Sequence, residues 1–226
     1  MKKMSVKILL VIIVFLVGCG GGTNESIYTD ILYSNNFDTN SSPTYSITFG
    51  SPQIVGPIGQ FTTNSLEFNS TGNFTQFYYD QIRYQIDATD SPYADLGKSS
   101  FHVNFDIITN ELIGSSNEFH VLFDTPTVRD LLFTSEGAIS INNPATGDSR
   151  VIANYADYEK MHVDIYFDIN NNLWEVYINN MYVYGDVING VSLRSIRFSH
   201  GAKLVGEADF NATTYIDNVL ISAVPL

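Results

Sequence analysis

"MHVDIYFDI", residues 161–169, decides how this chain folds. Its apolar residues recur at every second position, with Met161, Val163, Ile165, Phe167 and Ile169 on one side and His162, Asp164, Tyr166 and Asp168 on the other. Successive side chains of a strand point to opposite faces of a sheet, so this alternation predicts a strand with one face in a core and one toward water. The residues that follow, "DINNN" at 168–172, are turn formers. "LWEVYIN" at 173–179 then resumes the alternation with Trp174, Val176 and Ile178 inward. Two alternating runs joined by a short polar loop predict a hairpin over 161–179.

The same period extends outward from this hairpin. "FHVNFDI" places Phe101, Val103, Phe105 and Ile107 on one face and His102, Asn104 and Asp106 on the other, and "EFHVLFD" aligns Phe119, Val121 and Phe123. No stretch shows a helical period with a cap and a terminating glycine. Aromatics at 13% and charged residues at only 15% describe a packed core and exclude a disordered chain. Ser/Thr/Asn-rich segments near Asn40 and Asn69 read as loops. Many short strands between such loops predict two packed antiparallel sheets, because a half-apolar sheet must cover its apolar face with another.

The chain opens differently. Lys2, Lys3 and Lys7 precede an apolar run from Ile8 to Val17, followed by small residues, which is the layout of a secretory signal. The run is about half the ~20 residues that a membrane-spanning helix needs. Leu16-Val17-Gly18-Cys19 resembles the lipobox of bacterial lipoproteins, and Cys19 is the only cysteine of the chain. The resemblance implies cleavage after residue 18 and lipid on Cys19, with 19–30 as a flexible tether to a domain over 31–226. Two or more acyl chains anchor a protein stably, so the expected address is the bacterial cell envelope, held at a membrane by lipid. Gly20 rather than Asp after the cysteine resembles outer-membrane sorting in Gram-negative bacteria.

Without residues 1–18 the 11 basic residues lose three lysines and fall to 8 against 24 acids, so the net charge moves from −13 to −16. That surface repels phosphate backbones and excludes nucleic acid as a partner.

The order of strand-like segments, from "ILYSNNFD" and "SLEFN" through "LLFTSEGAISI" and "YEKMHVDIYFDINNNLWEVYINN" to "SIRFS" and "YIDNVLI", resembles the concanavalin A-like jelly roll, including laminin G-like domains. The resemblance implies an all-β, two-sheet antiparallel jelly-roll sandwich over 31–226. Polysaccharide-cleaving enzymes of this fold carry E-x-D-x-x-E, whose carboxylates flank the scissile bond. Here Glu207 and Asp209 lack the third acid, since position 212 is Ala. No G-x-S-x-G nucleophile elbow occurs either. In jelly-roll binding modules a closing "DNV" strand often helps to hold a structural Ca²⁺, and by resemblance Asp217 and Asp38 fall at the matching places. The competing reading has Asp217-Asn218 ending a strand edge by hydrogen bonds.

Two further sets of residues stand out. His102, His120 and His162 fall at outward strand positions and, with His200, either gather for zinc or stand apart as solvent-facing residues. Tyr166, Tyr177, Tyr182 and Tyr184 fall on or beside outward positions of neighbouring strands, as a platform for sugar rings or as cross-strand pairs that stabilise the sheet. The resulting expectation is a lipid-anchored, non-catalytic carbohydrate-binding or adhesion module. An envelope assembly protein working through protein contacts and a divergent polysaccharide-cleaving enzyme are the alternatives.

Overall fold

The computed structural model describes residues 30–38, 45–69, 78–86, 98–124, 129–143, 147–168, 171, 173–187, 193–203 and 211–225. Cys19, Glu207 and Asp209 lie outside the described residues. Among the described residues every regular element is a strand: β1 (Asp30–Asn35), β2 (Ser46–Phe49), β3 (Gln53–Val55), β4 (Ser65–Phe68), β5 (Tyr78–Gln85), β6 (Lys98–Asn110), β7 (Asn117–Asp124), β8 (Arg129–Phe133), β9 (Ala138–Asn143), β10 (Asp148–Asn154), β11 (Met161–Asp168), β12 (Leu173–Ile178), β13 (Met181–Val187), β14 (Ser195–Ala202) and β15 (Thr213–Pro225). They form two antiparallel sheets. The first runs β13-β12-β11-β6-β15-β4-β3, with β1 also paired to β15, and the second runs β10-β9-β8-β7-β14-β5-β2. This is the two-sheet jelly-roll sandwich that the alternation and the strand order predict.

The inward positions read from the sequence are the core. Phe101, Val103, Phe105 and Ile107 of β6, with Met161, Val163, Ile165 and Phe167 of β11, pack with Phe119, Val121 and Phe123 of β7 and Phe198 of β14. Rings from opposite sheets meet edge to face: Phe105 on Phe198 at 5.0 Å and Phe68 on Phe119 at 5.4 Å between centroids. Such pairs add ~0.5–1.5 kcal/mol each to the area they bury. Trp174 is fully buried, as its phase in β12 requires, and stacks on Phe167 at 5.8 Å.

Two local irregularities shape what lies outside the core. The hairpin β11–β12 pairs Val163 with Ile178 and Asp168 with Leu173, and β12 turns into β13 through Asn179 and Asn180 alone, both with positive φ (51° and 64°). Positive φ at both central residues is what a type I′ hairpin turn requires, and asparagine tolerates it. The register of β12 on β13 then shifts between Val176 and Tyr177, so that Tyr182 opposes Tyr177 while Tyr184 opposes the inward Val176. In β15 the register on β6 shifts between Asp217 and Leu220, around Asn218 at φ 51°. There the strand passes from β4 as its neighbour to β1.

Candidate functional site

The site lies on the outer face of the first sheet, across the adjacent strands β15, β6, β11, β12 and β13. It has a charged half and an aromatic half.

The charged half follows from the outward residues of β6 and β11 standing side by side. His162 Nδ1 donates to Asp106 Oδ1 at 2.7 Å, and its Nε2 meets Asp164 Oδ2 at 3.2 Å. Carboxylates only accept, so both ring nitrogens carry protons and His162 is an imidazolium. His102 Nε2 donates to the other oxygen of Asp164 at 2.9 Å. Lys160 Nζ and Asn218 Nδ2 each reach Asp106 Oδ2 at 2.8 Å. The bulge at Asn218 is what aims that amide at Asp106. Hydrogen bonds donated to Asp106 and then Asp164 hold the His162 pKa up at about 10, against partial burial. Burial alone would raise the Asp106 carboxyl, but donation from His162, Lys160 and Asn218 outweighs it and holds the group at about 2. Asp164 is likewise held well below the usual carboxylate range by His102 and His162, despite burial.

The aromatic half continues the band. His102 stacks face to face on Tyr166 at 4.2 Å, Tyr166 meets Tyr177 edge to face at 5.6 Å, and Tyr177 meets Tyr182 at 5.5 Å. Tyr182 is 58% exposed at the outer end. Gly185 makes room for it, since a Cβ there would stand 2.5 Å from the Tyr182 hydroxyl. Tyr177 donates to Glu175 Oε2 at 3.2 Å, which leaves a carboxylate at the foot of the ring. The result is a ladder of π surfaces able to stack on a flat apolar ring face, beside a charged row whose buried His102, Asp106 and Asp164 are paired with protein groups and in which His162 is partly exposed.

Three of the four tyrosines expected to share a platform do so. Tyr184 does not: the shift in register turns it inward, where it is buried and meets Trp174 at 5.6 Å. Alternation counted along the sequence fails at that point because a bulge adds a residue to one strand of the pair.

The histidines are dispersed. His102 and His162 share the outer face of the first sheet. His120 pairs with Asp130 at 2.8 Å in the second, and the fully buried His200 reaches between the sheets to Thr214 Oγ1 at 3.3 Å. Burial drops the His200 pKa to about 3. Among the described residues no three His, Cys, Asp or Glu side chains stand where they could hold a metal ion.

Asp38 and Asp217 do lie at one end of the fold, but protein donors take their oxygens. Asp38 accepts from the Asn64 and Asn36 side of the loop, while the buried Asp217 accepts from Thr63 Oγ1 at 2.6 Å and its own neighbour Asn218 N at 2.7 Å. These donors make the pair a hydrogen-bonded loop anchor.

The acid partners Asp106 and Asp164 were not singled out by motif. Their signal was present in the alternation, which puts His and Asp at outward positions of "FHVNFDI" and "MHVDIYFDI" alike.

No family model matches the chain, and no curated protein does. Solved structures do resemble it in fold. A sialidase shares 13% identity at a TM-score of 0.57, over 86% of this chain and 18% of its own. Botulinum neurotoxin type C, described as depending on interaction with two ganglioside molecules to enter cells, shares 15% at 0.60, over 89% and 50%. The binding domain of botulinum neurotoxin DC, in complex with rat synaptotagmin II, shares 14% at 0.58, over 87% and 49%. The chain spans half or less of the length of these proteins. The fold class is therefore that of jelly-roll sandwiches found within larger proteins.

Proposed function

We propose that this protein is a non-catalytic saccharide-binding sandwich, held at the bacterial cell envelope through lipid on Cys19. The observation that carries the reading is the unbroken aromatic ladder Tyr166–Tyr177–Tyr182 on the outer face of the first sheet, beside a charge row in which Asp164 and His102 are buried and His162 is partly exposed. Sugar rings stack their apolar faces on such aromatics, and their hydroxyls pair with ionised side chains. Ganglioside interaction by a protein of the same fold is in keeping with it. The net charge of the chain favours neutral or cationic glycans on this face, since anionic polymers are repelled within a Debye length of ~8 Å.

A glycan array probed with wild type, Tyr166→Ala and Tyr177→Ala tests the reading. Wild type binds neutral glycans, and both variants lose them. A wild type that binds none, or variants that bind equally well, would overturn it in favour of protein contact. That alternative has an observation of its own, because edge strand β13 leaves Met181 and Val187 about 60% exposed or more (66% and 59%).

A further inference from the structure

A second site stands apart from the tyrosine face, where the free edges of the two sheets meet. Strand β13 ends the order of one sheet, β10 ends the other, and the two strands touch. Between them opens a cleft of about 240 Å³ whose polar lining is Arg129, Asp148, Ser149, Arg150, Tyr184 and Asp186. The volume lies below the ~300–1,000 Å³ of drug-sized pockets and suits a ligand of about one ring.

The lining is unusual for so acidic a chain, because two of its 11 basic residues converge there. The guanidinium of Arg150 lies over the Tyr184 ring, 5.4 Å from its centroid. Arg129 Nε is buried without a hydrogen-bond partner. Burial and Asp186 raise the Tyr184 phenol, and both arginines pull it the other way, so both charges bear on the same hydroxyl. Asp186 is already committed: it accepts from Tyr184 at 3.0 Å and from Val187 N at 2.7 Å.

We propose that this cleft binds a carboxylate-bearing sugar residue, with the carboxylate between Arg129 and Arg150 and the ring hydroxyls on Ser149 and Asp148. A neutral sugar would have no open aromatic face to stack on, since Arg150 covers Tyr184, and it would leave the arginines without an anion. A guanidinium is the side chain whose planar donors fit a carboxylate. A bare inorganic anion would gain the arginines but also meet the carboxylates of Asp148 and Asp186, whereas a polyhydroxyl ligand can donate to a carboxylate oxygen. The assignment extends the saccharide reading of the tyrosine face to a second site and a different class of sugar.

The test is calorimetric titration of the intact chain, purified in detergent, with sodium glucuronate, glucose and acetate as separate probes. Glucuronate binds at least tenfold more tightly than either of the others. Arg150→Gln, at an exposed position that leaves the core intact, weakens it about tenfold or more, as loss of a charge-assisted pair does. Arg129→Gln acts in the same direction, and Tyr166→Ala leaves glucuronate binding unchanged. The proposal is overturned if glucuronate binds no better than glucose or acetate, if Arg150→Gln binds it as wild type does, or if Tyr166→Ala abolishes it. Glucuronate binding that survives when neutral glycans fail to bind upholds the cleft and overturns the tyrosine face; the reverse pattern does the opposite.

Discussion

Replacing His162 by glutamine removes the centre of the charge row without touching the core. Asp106 keeps Lys160 and Asn218, and Asp164 keeps His102, so each carboxylate retains a partner. The folded state holds His162 at about 10 against an ordinary 6.5, a difference that converts at ~1.36 kcal/mol per pKa unit to ~5 kcal/mol for a fully buried group. The side chain is 35% exposed, and pairs open to water are worth ~1 kcal/mol or less each. Its two pairs together therefore contribute ~1–2 kcal/mol.

The sign follows from the direction of each shift. A raised histidine stabilises fully below its unfolded value near 6.5 and loses that contribution as the pH climbs through about 10. Asp106, held at about 2, stabilises above the unfolded carboxylate value and loses its share as the pH falls toward 2. The row is strongest between ~pH 4 and 6.5. At ~2–4 °C per kcal/mol for a domain of this size, His162→Gln melts ~2–8 °C below wild type at pH 6. Differential scanning calorimetry at pH 6 and again at pH 10.5 reads both values, and at the higher pH the gap between wild type and variant closes. An equal gap at the two pH values would refute the imidazolium as its source.

Other outcomes follow from the same geometry. Trp174→Ala destabilises by ~3–5 kcal/mol in thermal melts, as loss of a buried large aromatic does, while Trp174→Phe costs less because the buried indole N–H has no acceptor. Asp217→Ala strands the Thr63 hydroxyl and the Asn218 N–H and costs ~1–3 kcal/mol in thermal melts, equally in calcium and in chelator; a loss confined to calcium would point to a metal held by Asp38 and Asp217. Cys19→Ser moves the protein from the membrane to the soluble fraction, and unchanged fractionation would remove lipid anchoring from the account.

β6, β7, β11 and β12 were legible because their sequences alternate with a period of two, whereas β2, β3, β8 and β10 show no alternation in burial. The β11–β12 hairpin was legible from the asparagine-rich loop between its two alternating runs. What alternation could not reveal is register. Tyr184 follows Tyr182 at the correct spacing for one face, yet the shift beside Val176 sends it inward and opens the arginine cleft behind it. His102 and His162 were visible as outward residues, but their shared Asp164 depends on β6 and β11 being neighbours, which pairing decides and local sequence does not. Arg129 and Arg150 stand 21 positions apart and meet only because β8, β9 and β10 fold as consecutive hairpins.

The central claim is that the outer tyrosines of the first sheet are a saccharide face. Titration calorimetry of one neutral oligosaccharide into wild type, Tyr177→Ala and Tyr184→Phe tests it most directly. Tyr177→Ala weakens binding about tenfold, since stacking on a ring is lost, and Tyr184→Phe binds as wild type because that ring faces inward. Equal affinity for wild type and Tyr177→Ala would contradict the claim.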